Sequence, residues 1–406
     1  MFDSFLSQEY NAIKENAHRF ALNNIKPVAQ QLDNEELKPY DIAKRAVREL
    51  FGGDSINSVE ELMELYKDRD ILSASLISIE LAKMAPAIVM AIGASIELCG
   101  ATILFKGSEE QKIKYALPLF KGEKVGCFGL TEPDAGSDVM SLKTKAVRQG
   151  DYYIISGTKT FITNAPDADV FIVYARSDPN ASGHKGITAF ILERGMYGLS
   201  TSKPLNKMGL RGSPTGEIYM DEVRVPATNI VGKEHKAFYE LMDTLRIEHT
   251  TLPSMAIGIM ERVLDDSIRY AKQRVQFGQN IIFFEGIQFK LARMYVALQH
   301  SYAILFLLTQ LYKNGKDITA LASAAKVYTS EEAVNACLDA IQIHGGYGYM
   351  REYEIERFMR DAKLLEIGAG TTEIQLLIIT RSLMMTETFY YNPIFTPDDK
   401  SESGYI

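Results

Sequence analysis

Tyr152–Thr163, YYIISGTKTFIT, holds two β-rich runs, Tyr152–Ser156 and Lys159–Thr163, split by Gly157. Two more such runs follow, Val170–Ala175 and Ile187–Leu192, separated by the Gly- and Ser-containing segment Ser177–Gly186. Short strands at close spacing, with no helical segment between them, predict an antiparallel barrel or sandwich over residues 123–231. Outward on both sides the rhythm turns helical. Residues 1–122 carry amphipathic segments around Gln8–Asn23 and Val59–Tyr66 that lead into an apolar stretch. Over residues 232–386 the helical period returns. There Ile287, Leu291, Met294, Leu298, Tyr302, Leu305 and Leu308 recur at spacings of three and four and mark one long helix. Several such helices with short connections predict an antiparallel bundle. Residues 387–406, with two prolines and mixed charges, read as an irregular tail. The fold class is therefore α+β, in the order helical, β, helical.

Ala85–Phe105 is nearly apolar, with Ser95, Glu97 and Thr102 as its polar side chains, and is long enough to cross a bilayer. Glu97 sits near its centre, where a charge is costly in lipid, and no second span is read elsewhere. A buried core helix is expected instead, with no membrane span. The 406 residues are 46% hydrophobic, enough for a large core in two or three domains. Net charge is −8 with both signs interspersed, which leaves no footprint for nucleic acid. Cys99, Cys127 and Cys337 lie far apart and read as buried thiols in a reducing compartment, with no metal site. The opening MFDSFLSQEY lacks the regions of a signal peptide, so a cytoplasmic location is expected.

Three segments carry chemistry. Cys127–Asp138, CFGLTEPDAGSD, packs a threonine, a proline turn, two glycines and a serine into one loop. Such a loop offers amides and hydroxyls to a ligand, although an ordinary polar turn has the same composition. Phe161-Ile162-Thr163-Asn164 places an aromatic and a hydroxyl two residues apart on one strand face, able to flank a flat ring and bond its edge. Gln342–Gly346, QIHGG, has consecutive glycines at a helix end, which permit close backbone approach and otherwise make a C-cap.

Together with RVQFG at Arg274–Gly278 and MRDAKLLEIGAGTTEIQ at Met359–Gln375, these segments resemble the acyl-CoA dehydrogenase family in order and spacing. The resemblance implies an N-terminal helical domain, a central β-domain and a C-terminal four-helix bundle, assembled as a homotetramer. It implies FAD between the β-domain and the C-terminal helices, with a neighbouring subunit completing the site. Phe128 to Ser137 would line the flavin, with Leu130 and Thr131 against its pyrimidine side and Ser137 also touching the CoA arm. Phe161, Ile162 and Thr163 would form the strand at the ring, Phe161 stacking on its face and Thr163 bonding near N5. Many relatives have Trp at the place of Phe161. From the partner, Arg274 would pair with the pyrophosphate beside Phe277, and Gln342, Gly345 and Gly346 would contact the adenosine part. Thr371 and Glu373 match FAD-facing positions. Glu285 stands where Gln is common.

The reaction implied is α,β-dehydrogenation of an acyl-CoA, with electrons passed to an electron-transfer flavoprotein. It needs a carboxylate for the α-proton, and many relatives place it where this chain has Ala369. Isovaleryl-CoA dehydrogenase and its relatives resemble the chain at Gly368–Thr371 and carry the glutamate on an earlier helix, 26 residues before the RxxFG arginine. That position is Glu248. Independently, Glu248 falls on the stripe Leu241, Leu245, Leu252, Met255 and Ile259, where desolvation raises a carboxylate pKa. Pairing with Arg246 or His249 would instead make it structural, and relatives usually have Arg at the place of His249. Arg246, His249, Ala369 and Gly370 join Ser137 as substrate-side candidates, with the Ala369 amide and a flavin ribityl hydroxyl polarising the thioester carbonyl. Glu97 is the alternative base or a determinant of acyl selectivity, and His344 is structural or FAD-adjacent. Two rivals have the same fold: a flavin oxidase or monooxygenase, and a non-catalytic FAD-binding relative.

Overall fold

In the computed structural model, residues 6–67, 70–181 and 183–385 are described, apart from the side chains at 67, 239–240 and 242–251. The expected tail at 387–406 lies outside the described residues. Helices begin with α1 (Gln8–Phe20), α2 (Ala29–Asp33), α3 (Tyr40–Leu50), α4 (Val59–Lys67) and α5 (Ile71–Ala82). They continue through α6 (Pro86–Ile92), α7 (Ala101–Lys106), α8 (Glu109–Gln111) and α9 (Leu117–Phe120). The apolar stretch is one helical run, Pro86–Lys106, whose middle, Gly93–Gly100, is wound as a π-helix. Of its most apolar window, 78% is buried, as a core helix requires. One expectation is corrected here: a second helix, Glu285–Lys313, also has the length and apolar composition to cross a membrane, with 44% of its window buried.

The strands are β1 (Gly126–Gly129), β2 (Lys145–Gln149), β3 (Tyr152–Thr163) and β4 (Val170–Arg176). They are followed by β5 (Ile187–Glu193), β6 (Leu199–Thr201), β7 (Thr215–Pro226) and β8 (Ile230–Val231). The order is β6-β7-β3-β2-β4-β5-β8, with β1 paired to β4. Pairing is antiparallel except at β4, which runs parallel to β1 and meets β2 in one parallel contact, Lys145↔Arg176. The sheet is therefore mixed rather than purely antiparallel. The β2–β3 hairpin lies between β1 and β4 in sequence and lets both run in one direction.

Strand β4 shows why the region reads as a continuous apolar run. Val170, Ile172 and Tyr174 face a core shared with the N- and C-terminal helices. Phe171, Val173 and Ala175 face the sheet's own core with Tyr153, Ile155, Phe190 and Val223. Period-two alternation with both faces buried makes every position apolar.

The C-terminal part holds α10 (Ala237–Gln273), α11 (Glu285–Lys313), α12 (Thr319–His344), α13 (Ile355–Leu365) and α14 (Thr372–Met385). Helix α12 packs against the other four. On α11, Met294, Leu298, Tyr302, Leu305 and Leu308 are buried, as their spacing predicts. Helix α10 lies closely on α5 at Gly258, where an added Cβ would come 2.5 Å from the Ile79 carbonyl oxygen. A buried polar cluster fastens the same seam. Glu80 on α5 accepts His18 Nδ1 at 2.8 Å and Lys83 at 3.1 Å, and Lys83 reaches Glu261 on α10 at 2.8 Å.

Two of the quoted motifs turn out to fasten domains together. In MRDAK, Arg360 grips Asp33 with two nitrogens at 2.8 and 2.9 Å, and Asp361 accepts the Leu210 amide at 2.5 Å. Burial pushes the Asp361 carboxyl up to about 6, against the opposing charge of Arg357. In FITN, Asn164 is fully buried and donates to the carbonyls of Ala91 (2.9 Å) and Gly126 (3.1 Å), joining the β-domain to α6.

Candidate active site

The site begins at a break in β3. Register against β7 shifts between Lys159 and Ile162, so one extra residue is accommodated there. Phe161 takes φ +59 and is 70% exposed, while Ile162 turns into the sheet's core and Thr163 is half-buried. A β-bulge re-aims a side chain, and a non-glycine residue at positive φ is strained, a combination found at ligand sites. Phe161 and Thr163 are both left outside the sheet's core. Of the three FITN residues assigned to FAD, Ile162 presents only its backbone there.

The loop after β1 is pinned beside this bulge. Thr131 O accepts the Thr160 amide at 2.9 Å, and Leu130 O accepts Lys159 Nζ at 3.0 Å. Lys159 also donates to Glu132 at 2.7 Å, with side chains only 0% and 5% exposed. Glu132 accepts the amides of Lys143 (2.5 Å) and Thr144 (2.9 Å) as well. Burial alone would raise the Glu132 carboxyl; the Lys159 charge and these donors outweigh it and hold it below the usual range. Burial pushes Lys159 down to about 8 against the pull of Glu132. The pair sets Leu130 and Thr131 next to Phe161. Ser137 stands exposed further along the loop, and Phe128 packs its ring 5.1 Å from Tyr174.

A second group forms at the far end of the bundle. Helix α10 ends at Arg274, followed by the ribbon β9 (Val275–Gln276) and β10 (Gln279–Asn280). Phe277 (φ +51) and Gly278 (φ +82) make its two-residue turn, which leaves Phe277 95% exposed. Beside it opens a cavity of about 550 Å³ lined by Arg274, Tyr270, His344, Gly345, Gly346 and Tyr347, among others. A Cβ added to Gly345 or Gly346 would meet nothing within 4 Å, so these glycines leave an open cradle. Gln342 is exposed on the last turn of α12. His344 is buried, donates Nδ1–H to Ala340 O at 2.8 Å and stacks on Tyr270 at 4.3 Å, a structural role.

The third group is the turn between α13 and α14. Ala369 (φ +52) and Gly370 (φ +83) are both left-handed. The Thr371 hydroxyl accepts the Ile374 amide at 3.4 Å, and Glu373 lies in the first turn of α14, so both help to begin that helix. Glu285 likewise occupies the first turn of α11, where its charge suits the helix dipole.

Glu248 lies within α10, but its side chain and those of Arg246 and His249 are outside the described residues. Of its predicted stripe, Leu241, Leu252, Met255 and Ile259 are buried. The π-wound stretch bearing Glu97, itself 6% exposed, packs against α10. The sequence reading missed that Glu132, within the quoted loop, and Lys159 act as a pair. Lys159 had a visible signal, a charge within a β-rich run.

An aromatic face at a strained bulge, beside a pinned amide-rich loop, suits a flat ring, and the separate open glycine cradle under an exposed arginine suits a diphosphate. Residues 7–123, 127–223 and 238–384 match the family models for the N-terminal, middle and C-terminal domains of acyl-CoA dehydrogenase. The chain is 37% identical over 378 residues to the short-chain-specific acyl-CoA dehydrogenase of Clostridium acetobutylicum, covering 93% of this chain and 98% of that one. It is 37% identical to mitochondrial isovaleryl-CoA dehydrogenase of Pongo abelii, covering 93% and 89%. The solved butyryl-CoA dehydrogenase of Megasphaera elsdenii superposes with a TM-score of 0.88 at 36% identity, covering 93% and 99%. The chain belongs to the acyl-CoA dehydrogenase family. It is an enzyme of that family, and its cofactor is FAD.

Proposed function

We propose that the enzyme converts a short or branched acyl-CoA to the 2-enoyl-CoA and passes the electrons to an electron-transfer flavoprotein. The observation that carries this reading is Ala369. It holds the left-handed turn at the place where many relatives have their carboxylate, and its methyl cannot take a proton. The base must come from another element, and Glu248 on α10 is the residue in register for it. In this reading the Glu248 carboxylate takes the α-proton, and the Ala369 amide polarises the thioester carbonyl, stabilising the enolate as it develops. FAD, when bound, supplies the acceptor for the β-hydrogen. Phe161 would cover the ring face, and Thr163 with the Leu130–Thr131 amides would hold the ring edge. Similarity to short-chain and isovaleryl relatives favours a small acyl group.

The reading also assigns Arg274, Phe277, Gln342, Gly345 and Gly346 to a neighbouring subunit's FAD within a homotetramer. Support comes from exposed apolar side chains at and beside that cradle: Phe277, Tyr347 and Met350 are 95%, 47% and 47% exposed. Arg274→Ala is expected to weaken FAD retention, because it removes a charge-assisted contact to the pyrophosphate. Flavin content after dilution and salt washing checks this, and unchanged occupancy counts against the placement.

The function itself is tested by a screen of acyl thioesters for anaerobic flavin bleaching. Fastest bleaching is expected for short or branched chains. A specificity constant that climbs steadily past about twelve carbons would sink the small-substrate reading. Rapid oxygen use by the reduced enzyme at catalytic rates would favour an oxidase instead.

A further inference from the structure

The turn that offers the Ala369 amide is held from two sides by buried side chains. Lys326 projects from α12 among small buried neighbours, Ala322, Ala325 and Thr329, and is itself only 1% exposed. Its Nζ donates to the Gly370 carbonyl at 2.7 Å. Gln375, also 1% exposed, donates Nε2 to the Ala369 carbonyl at 3.0 Å. Two successive carbonyls of one turn are thus gripped from the protein side, while Ala369 and Gly370 hold φ of +52 and +83. An alanine there is strained and persists only where its surroundings over-determine it. A lysine buried to this degree is also unusual and needs a partner for its charge. With both carbonyls turned inward, the two peptide planes that follow the Ala369 amide are held, and through the Ala369 Cα they constrain the plane that carries it.

We propose that Lys326, with Gln375, is a positioning residue for the thioester carbonyl. Its grip on Gly370 O holds the left-handed turn that follows the Ala369 amide, and its ammonium sets a fixed positive charge at that turn. The inference rests on the dehydrogenase reading above. A preorganised donor and a nearby fixed charge act on the charge that develops in the transition state more than on the bound ground state.

The test compares the parent holoenzyme with Lys326→Met, Lys326→Arg and Gln375→Leu. Two measurements are made: single-turnover flavin bleaching by the best acyl-CoA, and the pKa of a bound 3-oxoacyl-CoA followed by its enolate absorbance. Flavin content and unfolding temperature are recorded in parallel. Lys326→Met is expected to lower the bleaching rate roughly 10- to 100-fold with a smaller change in KM, the size of a misplaced donor. It should also raise the pKa of the bound ligand by about one unit, a tenfold loss of enolate stabilisation. Lys326→Arg should recover part of both, and Gln375→Leu should show the same direction as Lys326→Met. A merely structural lysine would lower the unfolding temperature and leave the ligand pKa where it was. An unmoved ligand pKa in both Lys326→Met and Gln375→Leu, with enolisation intact in the parent, overturns this inference alone. A parent enzyme that neither bleaches with any acyl-CoA nor enolises the bound ligand overturns the dehydrogenase reading and this inference with it.

Discussion

Glu248→Gln is expected to slow anaerobic flavin bleaching by an acyl-CoA by on the order of 10² to 10⁴, with FAD content and folding unchanged. Glutamine keeps the size and polarity of the side chain and loses only the ability to take a proton. The effect should therefore fall on kcat and on single-turnover rate, with ligand binding preserved. Glu97→Gln is the control, because Glu97 is buried on the π-wound stretch that packs against α10. It should change which acyl groups are preferred while some substrate is still turned over. A Glu248→Gln enzyme that bleaches within a few-fold of the parent, alongside a Glu97→Gln enzyme that does not bleach, would show that the base has been misassigned. Adding Ala369→Glu to Glu248→Gln should return part of the activity, since relatives reach the same carbon from that turn. The left-handed φ of Ala369 limits how much, because a larger side chain must accept the same strained backbone.

Much of the fold is legible in the sequence. The β4 run announces a strand buried on both faces, and the α11 stripe announces one helix, because burial imposes a period on the residues that meet it. The assignment of Glu248 rests on the resemblance to relatives whose glutamate precedes the RxxFG arginine by the same interval, and its side chain lies outside the described residues. What escaped the sequence depends on partners remote along the chain. Lys159 reads as a lone charge in a strand until Glu132, 27 positions earlier, is folded against it. Lys326 reads as an ordinary helix lysine until the Gly370 turn, 44 positions later, closes over it. The π-winding of Gly93–Gly100, the bulge that lifts Phe161 and the parallel pairing of β1 with β4 are likewise outcomes of packing. Local propensity is nearly indifferent to each of them.

The Glu132–Lys159 pair leads to the other large effect. Glu132→Gln keeps one of the two oxygens that accept the Lys143 and Thr144 amides, turns an amino group towards the other, and removes the charge that balances the buried Lys159 ammonium. Breaking one side of a buried ion pair costs about 3–5 kcal/mol. The loss should appear as a lower unfolding temperature and as release of flavin, because this pair fixes Leu130 and Thr131 against Phe161. Lys159→Met should be damaging for the mirror-image reason, an uncompensated carboxylate at 5% exposure. The double variant Glu132→Gln, Lys159→Met removes both charges and should retain more flavin, and unfold at a higher temperature, than either single variant. Acid gives the same lesion without mutation. The folded Glu132 carboxyl titrates below its ordinary value of 4.5, so its contribution is complete above that pH and is lost as pH falls through the lower folded value. Flavin release from the parent should therefore set in below about pH 4.5, while Glu132→Gln should lack that step. Single variants as stable and as yellow as the parent, or a double variant worse than both, would mean that the loop is held by something other than this pair.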